Sequence, residues 1–441
     1  MIFANGKLYE TSQQNKILNH LENQINQTRS YGFLEIEKVI TALDKFAQEL
    51  EKGFFSSYFH DDFTKSQIAV SAKMLHRNAL EYKIRHELGA ELYQIQTFTP
   101  LEGFPQIQER LMPLGTLFHI SAGNVDALPA WSVIEGLLTG NINLLKLPQA
   151  DSGLTIQFFQ HLIQIEPILR EYVYIFDTPS SDVAGMKRLA QCADAVIVWG
   201  GDTAIQAVRQ LAPPECKLIE WGHRLSFCYI SGNSENSELT ALAQHILKTQ
   251  QLLCSSCQII YLDTEDMKQI YQFCEQFLPY LETEAKYFPI KEINAVAEIT
   301  LKRYTADLES IMTGNSKQNR IFQGKYCSLT ACQDSELELS CLYGNPLVKP
   351  LPRNQILSVL RRKKGYLQTA GLICPPESQS ILTEILIQSG INRIFPAGKM
   401  SDTVLGETHD GEYPLRRYTR TVNIIKYFNS HCTKNSVTLV Q

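Results

Sequence analysis

The feature of this sequence that most constrains its fold is a regular alternation of short apolar runs with longer segments of helical periodicity. The apolar runs are hydrophobic almost throughout, as expected for strands that are covered on both faces of a sheet. The alternation predicts an α/β fold built on a parallel sheet. The predicted strands are Gly115–Ile120, Ile142–Leu147, Tyr172–Phe176, Ala195–Trp199, Lys217–Trp221 and Phe227–Ile230, and the predicted helices between them are Ala127–Leu138, Leu154–Leu169, Ser181–Ala193 and Thr203–Leu211.

The remainder of the chain divides around this central region. The first hundred residues have helical periodicity, for example in the stripe from Leu34 to Phe46. A helix predicted at Glu238–Thr249 is followed by a second α/β stretch from Gln258 to about Pro396, with the hinge expected near Thr249–Leu253. We therefore predict a helical region at 1–100, a cofactor-binding domain at 101–249, a catalytic domain at 250–400, and a segment at 401–441 that is a candidate for oligomerisation.

Composition narrows the class of protein. Of the 441 residues, 44% are hydrophobic and 20% are charged, and the formal net charge is −5, so no broad basic surface for nucleic acid is expected. The segment Met1–Leu18 lacks the apolar core of a signal peptide, and no apolar run approaches the roughly 20 residues of a membrane span. The eleven cysteines are then best interpreted as reduced thiols. These features predict a cytoplasmic protein without a membrane span.

Cys254 is the main candidate for a nucleophile, because it lies between a predicted helix and a predicted strand and is followed by the small residues Ser255 and Ser256. A free thiol has a pKa of about 8.5, so the site must lower that pKa or supply a base. The residues alone equally allow a buried structural cysteine or a redox pair with Cys257. No metal site is expected, since the sequence has no second C-x-x-C motif and no histidine pair at ligand spacing.

Polar residues follow two of the predicted strands, at the sheet edge where ligands bind in open α/β folds. Asn124, after the flexible Gly123, could donate its amide to an oxyanion or could cap the next helix. Lys146 ends the next strand, where it could contact a phosphate or ribose or simply lie at the surface.

Two further strand ends carry candidate residues. Gly200, Gly201 and Asp202 open a helix whose first N–H groups could face an anion, although a glycine pair can serve the turn alone. Glu220 lies in an apolar run, where burial would raise its pKa and suit it to proton transfer, and the alternative is an ion pair with Arg224 or His223.

Taken together, several ordered blocks resemble the LuxC-type acyl-CoA reductases of bacterial bioluminescence. The blocks lie between about Gly115 and Arg420, roughly the last three-quarters of the chain, and one residue departs from the usual pattern: Cys257 stands where the family continues with proline. The blocks are His119–Val125, Gly136–Asn141, Lys146–Pro148, Cys254–Ser256, Gly390–Ile394, Pro396–Met400 and His409–Gly411.

The resemblance implies an aldehyde dehydrogenase-like fold, with a Rossmann-like cofactor domain and an α/β catalytic domain. It implies that Cys254 is the acylated nucleophile, Asn124 the oxyanion donor and Glu220 the glutamate that many aldehyde dehydrogenases use as a base. It also implies that Ser121, Lys146, Gln149, Gly200, Gly201 and Asp202 lie where the dinucleotide binds. His409 and Asp410 belong to a family block, and the sequence gives no physical account of their role.

The activity implied is reduction of a long-chain fatty acyl thioester to the aldehyde with NADPH, through an acyl-cysteine. Gln149 agrees with NADPH, because NAD-preferring aldehyde dehydrogenases tend to carry a glutamate there that would repel a 2′-phosphate. The acyl donor is coenzyme A or a protein thioester, and an acyl-transferase or acyl-protein synthetase partner and a homo-oligomer are expected. Alternatives are an NAD(P)-dependent dehydrogenase that oxidises aldehydes to acids, and a non-catalytic subunit of a fatty acid reductase complex. Cys257 also raises the possibility of an inactivating disulfide with Cys254.

Overall fold

The computed structural model describes most of the chain. The described residues are 1–56, 62–98, 101–102, 104, 106–122, 128–149, 151–289, 296–297, 299–301, 304–305, 308, 312 and 319–425. The helices are α1 Gln14–Ser30, α2 Ile36–Glu51, α3 Asp62–Met74, α4 Arg77–Leu88, α5 Leu128–Leu138, α6 Leu154–Ile165, α7 Val183–Gln191, α8 Asp202–Leu211, α9 Asn236–Lys248, α10 Met267–Ala285, α11 Ile356–Leu360, α12 Pro376–Ser389 and α13 Pro414–Arg417. The strands are β1 Ile2–Ala4, β2 Lys7–Tyr9, β3 Ile95–Phe98, β4 Ile107–Pro113, β5 Thr116–Ile120, β6 Ile142–Lys146, β7 Val173–Phe176, β8 Ala195–Gly200, β9 Lys217–Gly222, β10 Leu225–Ile230, β11 Cys257–Leu262, β12 Arg320–Gln323, β13 Ser328–Ala331, β14 Leu347–Pro350, β15 Leu367–Ile373, β16 Arg393–Pro396 and β17 Thr419–Ile425.

The first large sheet has the order β2-β1-β7-β6-β5-β8-β9. Strands β5 to β9 run parallel, and every residue of β5, β6 and β7 is buried, which explains their mainly apolar sequences. The chain moves from β5 to β6 and β7 on one side and then returns to place β8 and β9 on the other. The carboxyl ends of β5 and β8 therefore form a topological switch point, where ligands bind in open α/β sheets.

The second large sheet has the order β12-β13-β14-β11-β10-β15-β16, and its strands from β13 to β16 are parallel. The chain changes sheet between Gly222 and Leu225, earlier than the hinge expected at Thr249–Leu253. The predicted strand Phe227–Ile230 thus joins the second sheet, and α9 packs in the core of that sheet through Leu239, Leu242 and Ile246. Periodicity could not locate this change, because β9 and β10 are both apolar and only two residues separate them.

A third sheet, β17-β4-β3, is antiparallel and joins the segment after α4 to the last described strand. The first hundred residues are mainly helical, as predicted, but β1 also pairs with β7 at the edge of the first sheet, which the sequence did not indicate. The architecture is a mixed α/β fold with two parallel sheets, the fold class that the alternating pattern predicted. Among the helices that the structure describes, none is long and apolar enough to cross a lipid bilayer.

Candidate active site

A cleft of about 470 Å³ lies where the two large sheets face each other. The first sheet contributes residues that follow its strands, namely Ala122 after β5 and the ends of β8 and β9. The second sheet contributes residues at the beginning of its strands, including Gln368 on β15 and Arg393 on β16. Cys254 and the segment Ser401–Asp410 complete the wall. The cleft therefore joins the switch point of one sheet to the amino ends of the other.

The loop that carries Cys254 is held by a buried glutamine. Gln250 and Gln251 have φ values of 49° and 60°. This is the left-handed backbone conformation, which residues other than glycine seldom adopt. The Gln251 side chain is 1% exposed; its Nε2 donates to the Cys257 carbonyl at 2.8 Å, and its Oε1 accepts the Gly344 N–H at 3.0 Å. These hydrogen bonds fix the turn that brings Cys254 to the cleft.

The Cys254 thiol lines the cleft and is half-buried. Burial raises the pKa of this thiol, and the nearby Asp410 carboxylate raises it further. The backbone N–H and guanidinium of Arg224, and the backbone N–H of Cys254 itself, oppose the rise without cancelling it. The thiol is therefore protonated at neutral pH, and nucleophilic attack requires a group that accepts its proton.

His409 lines the same cleft as Cys254. Its ring centroid lies 5.0 Å from that of Trp199 and 4.9 Å from that of Trp221, which fixes the imidazole in the wall. Burial lowers the pKa of His409, so the imidazole is neutral at pH 7 and able to accept a proton. His409 thus supplies what the protonated Cys254 lacks.

Asp410 anchors the turn that presents His409. Its carboxylate lies 2.9 Å from Nε of Arg224, and Nε2 of Gln368 donates to its Oδ1 at 2.7 Å. Asp410 has a positive φ of 50°, and Gly411 follows with a φ of 83°, which closes a tight turn between His409 and Glu412. The turn is therefore tied to the amino ends of β10 and β15, next to the Cys254 loop.

Cys257 occupies a different environment from Cys254. It is fully buried in the core of the second sheet, in the same cluster as Cys228, and its thiol donates to the Ile259 carbonyl at 3.3 Å. Both Cys254 and Cys257 are free thiols. Within the described part of the chain, no group of three or more potential metal ligands comes together.

A second cavity of about 560 Å³ lies at the carboxyl ends of β6 and β7, and both Lys146 and Gln149 line it. Lys146 is 6% exposed, its Nζ donates to Ser180 Oγ at 3.1 Å, and burial lowers its pKa. No carboxylate among the described residues forms a salt bridge with this ammonium, so its other N–H groups can bind an anion. Ser121, at the end of β5, is buried next to this edge. The cavity has room for a small polar group beside this buried ammonium, and Asp151 and Asp177 also line it.

The glycine pair lies at the first cleft, where Gly200 ends β8 and Gly201 precedes α8. A methyl group added at Gly201 would meet no atom within 4 Å, so the space beside this residue at the start of α8 is open. Asp202 begins α8 and accepts a hydrogen bond from the Tyr366 hydroxyl at 2.7 Å. The glycine pair and Lys146 flank the switch point, as a bound dinucleotide requires.

Glu220 does not line the cleft. Its carboxylate forms two hydrogen bonds with the Arg209 guanidinium, at 2.5 and 2.7 Å, instead of the pairing with Arg224 or His223 considered from the sequence. Alternation along β9 explains the orientation, because its neighbour Trp221 faces the cleft. Asn124 and Gly123 lie outside the described residues, so the predicted oxyanion donor has no structural account.

Sequence reasoning gave no role to Trp199 or His409, which line the cleft, and considered Arg224 only as a partner of Glu220, whereas it contributes to the electrostatics at Cys254. The block His409–Gly411 was the only signal for the histidine. Its spacing from Cys254 carries no information about distance, because the two residues come to line one cleft only through the packing of the last loop against the second sheet.

Comparison with known proteins identifies relatives for most of the chain. A family model described as acyl-CoA reductase (LuxC) matches residues 33–421. The long-chain acyl-protein thioester reductase 2 of Photobacterium leiognathi is 25% identical over 327 residues, which cover 71% of this chain and 65% of that protein. The long-chain acyl-protein thioester reductase of Photorhabdus luminescens is 25% identical over 363 residues, covering 79% and 71%. The chain thus spans about two thirds of the length of these relatives.

Solved structures share the fold at lower identity. The NADP-dependent glyceraldehyde-3-phosphate dehydrogenase of Bacillus halodurans, complexed with NADP, matches with a TM-score of 0.70 and 12% identity, covering 96% of this chain and 98% of that one. Aldehyde dehydrogenase 21 of Physcomitrella patens matches with a TM-score of 0.70 and 11% identity, covering 95% and 91%. The expected aldehyde dehydrogenase-like fold is confirmed.

Proposed function

Because this chain belongs to the acyl-CoA reductase (LuxC) family, we propose that it reduces a long-chain fatty acyl thioester to the aldehyde, with NADPH and through an acyl group carried on Cys254. The observation that carries the proposal is the shared cleft of a protonated thiol and a neutral imidazole, Cys254 and His409, beside the switch point of the first sheet. The donor thioester is acyl-CoA or an acyl group on a partner protein.

In the first step, His409 accepts the proton of the Cys254 thiol while the sulfur attacks the thioester carbonyl carbon. The backbone N–H of Cys254 stabilises the oxyanion, and Asn124 is the second proposed donor. Loss of one such donor costs roughly 2.7–4 kcal/mol in the transition state. The carbon–sulfur bond to the leaving thiol then breaks, and His409 returns the proton to that sulfur. The acyl group remains on Cys254.

The dinucleotide would be held by Lys146 and Ser180 at one side of the switch point and by the helix start at Gly201 on the other. The hydride that reduces the acyl carbonyl comes from NADPH when it is bound. Gln149 supports NADPH over NADH, since a neutral side chain in that cavity does not repel a 2′-phosphate. The bond from carbon to the Cys254 sulfur then breaks, the aldehyde leaves, and the sulfur takes up a proton.

Glu220 has no direct part in the proposed reaction. Its carboxylate pairs with Arg209 and does not line the cleft. We favour thioester reduction over oxidation of aldehydes to acids because the family and the relatives are named as acyl reductases.

Cellular partners follow from the same proposal. An acyl-transferase or acyl-protein synthetase that delivers the acyl group is the expected partner, since the relatives are named for acyl-protein thioesters. We also propose a cytoplasmic homo-oligomer; Cys254 and Cys257 are free thiols, which fits a reducing compartment.

The test is acylation of the purified chain by a radiolabelled long-chain acyl-CoA, followed by hydroxylamine release and by NADPH oxidation. Cys254→Ala is expected to lose the acyl adduct and to lower reduction by at least about 10⁴-fold. Cys192→Ala, which changes a half-buried thiol outside the cleft, should keep both. A hydroxylamine-sensitive adduct on Cys254→Ala would contradict the assignment. A wild-type chain that takes up no acyl group would instead support a non-catalytic subunit.

A further inference from the structure

The cleft at Cys254 continues into another cavity of about 340 Å³. The two spaces share several lining residues, among them Leu128, Trp199, Leu253 and His409. Leu253 directly precedes the proposed nucleophile, so an acyl group on Cys254 has this second space within reach. We call this space the acyl branch.

The walls of the acyl branch are largely apolar. Val70 and Met74 of α3, Leu128 and Trp131 of α5, and Leu253 line it. Such a surface suits a hydrocarbon chain, because removing each buried CH₂ from water is worth about 0.8 kcal/mol.

The acyl branch also contains a charged cluster that a plain hydrocarbon chain does not need. Lys83 Nζ lies 2.5 Å from Glu87 Oε1 and 3.0 Å from Glu135 Oε1. Glu87 is 0% exposed, and its Oε2 accepts the Leu415 N–H at 2.9 Å. One ammonium thus serves two buried carboxylates, and Lys83 and Glu135 both line the cavity.

Glu135 is the member of this cluster with unused bonding capacity. It is 2% exposed, and its Oε2 has no hydrogen-bond partner among the described residues. The Trp131 side chain, one helical turn before it, hydrogen-bonds the Glu135 carboxylate and lowers its pKa, and Oε2 is the oxygen left without a partner among the described residues. A buried polar atom without a partner is costly, and native proteins normally satisfy it. The oxygen therefore marks a place for a polar group of a ligand.

The chemistry of that group can be narrowed. Burial raises the pKa of Glu135, and Lys83 opposes the rise, so the carboxyl either accepts a hydrogen bond as an anion or donates one when protonated. A hydroxyl group both donates and accepts, and it satisfies either form. An ether or a ketone would satisfy only the protonated form.

We propose that Glu135 selects acyl thioesters that carry a hydroxyl group on the acyl chain, with the hydroxyl bonded to Glu135 Oε2 beside Lys83. The inference rests on the proposed function, since it assigns the acyl branch to the substrate bound at Cys254. It makes Glu135 a specificity-determining residue and leaves the chemistry at Cys254 unchanged.

The experiment compares dodecanoyl-CoA with dodecanoyl-CoA analogues that carry one hydroxyl at successive carbons, by the kcat/KM of NADPH oxidation and by acylation of Cys254. At least one hydroxylated analogue is expected to exceed the plain chain by about 10- to 100-fold, the range for a hydrogen bond to a charged group. Glu135→Leu should abolish that preference and improve dodecanoyl-CoA. Glu135→Gln, which can still donate and accept, should retain most of it.

The chain offers a control for loss of one of two carboxylates paired with a buried lysine. Lys349 is paired with both Asp334, at 2.7 Å, and Glu338, at 2.5 Å, in the second sheet and away from the acyl branch. Glu338→Leu should leave the ratio between substrates unchanged. Equal kcat/KM for the plain and all hydroxylated chains, or a preference that survives Glu135→Leu, would overturn the inference. If no thioester acylates the wild-type chain, it is the proposed function that fails.

Discussion

The two large sheets line the cleft with opposite ends of their strands. The first sheet presents the carboxyl ends of its strands, with Ala122 after β5 and Gly200 at the end of β8. The second sheet presents its amino ends, with Cys254 before β11 and Arg224 before β10. Helices that follow parallel strands begin at a carboxyl edge, so at this cleft the helix start at Gly201 comes from the first sheet.

This difference explains how each region is built for its part of the reaction. At the first sheet, the helix start at Gly201 is the proposed anion site, and it depends on the backbone more than on side chains. At the second sheet, the nucleophile loop has no such support, and side chains must fix it: Gln251 holds the loop and Asp410 holds the turn of His409. Substitutions at one edge should therefore affect acylation, and substitutions at the other should affect use of the dinucleotide.

The largest effect after loss of the nucleophile is expected at the second edge, from His409→Ala. Removal of the proton acceptor should lower the acylation rate by about 10²- to 10⁴-fold. The wild-type rate should fall only as the pH drops through the pKa of His409, which burial lowers below its ordinary value, because protonation removes the acceptor. In the variant, the rate should instead keep rising with pH towards the raised pKa of the Cys254 thiol.

Rapid-quench acylation across the pH range, measured without NADPH, checks this prediction. His409→Gln serves as a variant that fills the same space without a titratable base. If either variant keeps the pH profile of the wild type, His409 is not the group that accepts the thiol proton.

At the first edge, Lys146→Met is expected to raise the KM for NADPH by about 10- to 100-fold through loss of a charge-assisted contact. The acylation of Cys254, measured in the absence of dinucleotide, should not change. Gln149→Glu should shift the ratio of kcat/KM values from NADPH towards NADH. Steady-state kinetics with both dinucleotides make the measurement, and a loss of acylation in Lys146→Met would show that the two edges are not separable.

A smaller effect is expected from Gln251→Ala, which leaves buried backbone groups of the nucleophile loop without partners. The free energy of unfolding should fall by about 1–3 kcal/mol. The rate of acylation should also fall, while the KM for NADPH should stay unchanged. Urea denaturation measures the first quantity. The control Gln355→Ala removes an exposed side-chain contact to Glu265 and should change neither quantity. Equal behaviour of the two variants would mean that Gln251 does not hold the loop.

The smallest effect is expected from Glu220→Gln, although this residue matches the base of many aldehyde dehydrogenases. Its carboxylate is engaged by Arg209 at the surface, so the rate of thioester reduction should change by less than about threefold. The variant to compare with it is Arg209→Gln, which removes the ion pair and releases the Glu220 carboxylate. A reduction rate that falls at least a hundredfold in Glu220→Gln would show that the carboxylate turns into the cleft during turnover.

Much of the fold was predictable because strands buried on both faces must be apolar, and β5, β6, β7 and β8 are. The change of sheet between Gly222 and Leu225 was not predictable from the sequence. Two apolar strands separated by a tight turn have the same sequence pattern whether they join one sheet or two. The early strand β1 was also missed, because three residues are too few for a period.

The candidate site divides in the same way. Lys146 and Gly201 were predictable because the end of a parallel strand is visible in the sequence and its edge is a known place for ligands. Glu220 and His409 depended on which way a side chain points and on what packs against it. For Glu220, the alternation along β9 directs the carboxylate away from the cleft; for His409, the last loop brings the residue to the cleft that Cys254 also lines.

The sequence by itself determined the α/β class and the family, and it singled out a candidate nucleophile, because these depend on local pattern and on residue type. Only the tertiary structure decided that Cys254 and His409 line one cleft and that Glu135, whose Oε2 has no hydrogen-bond partner among the described residues, lines the adjoining cavity. The physical reason is that burial and electrostatic environment depend on residues distant in sequence, and these three residues line connected cavities only when the two sheets and the last loop pack together.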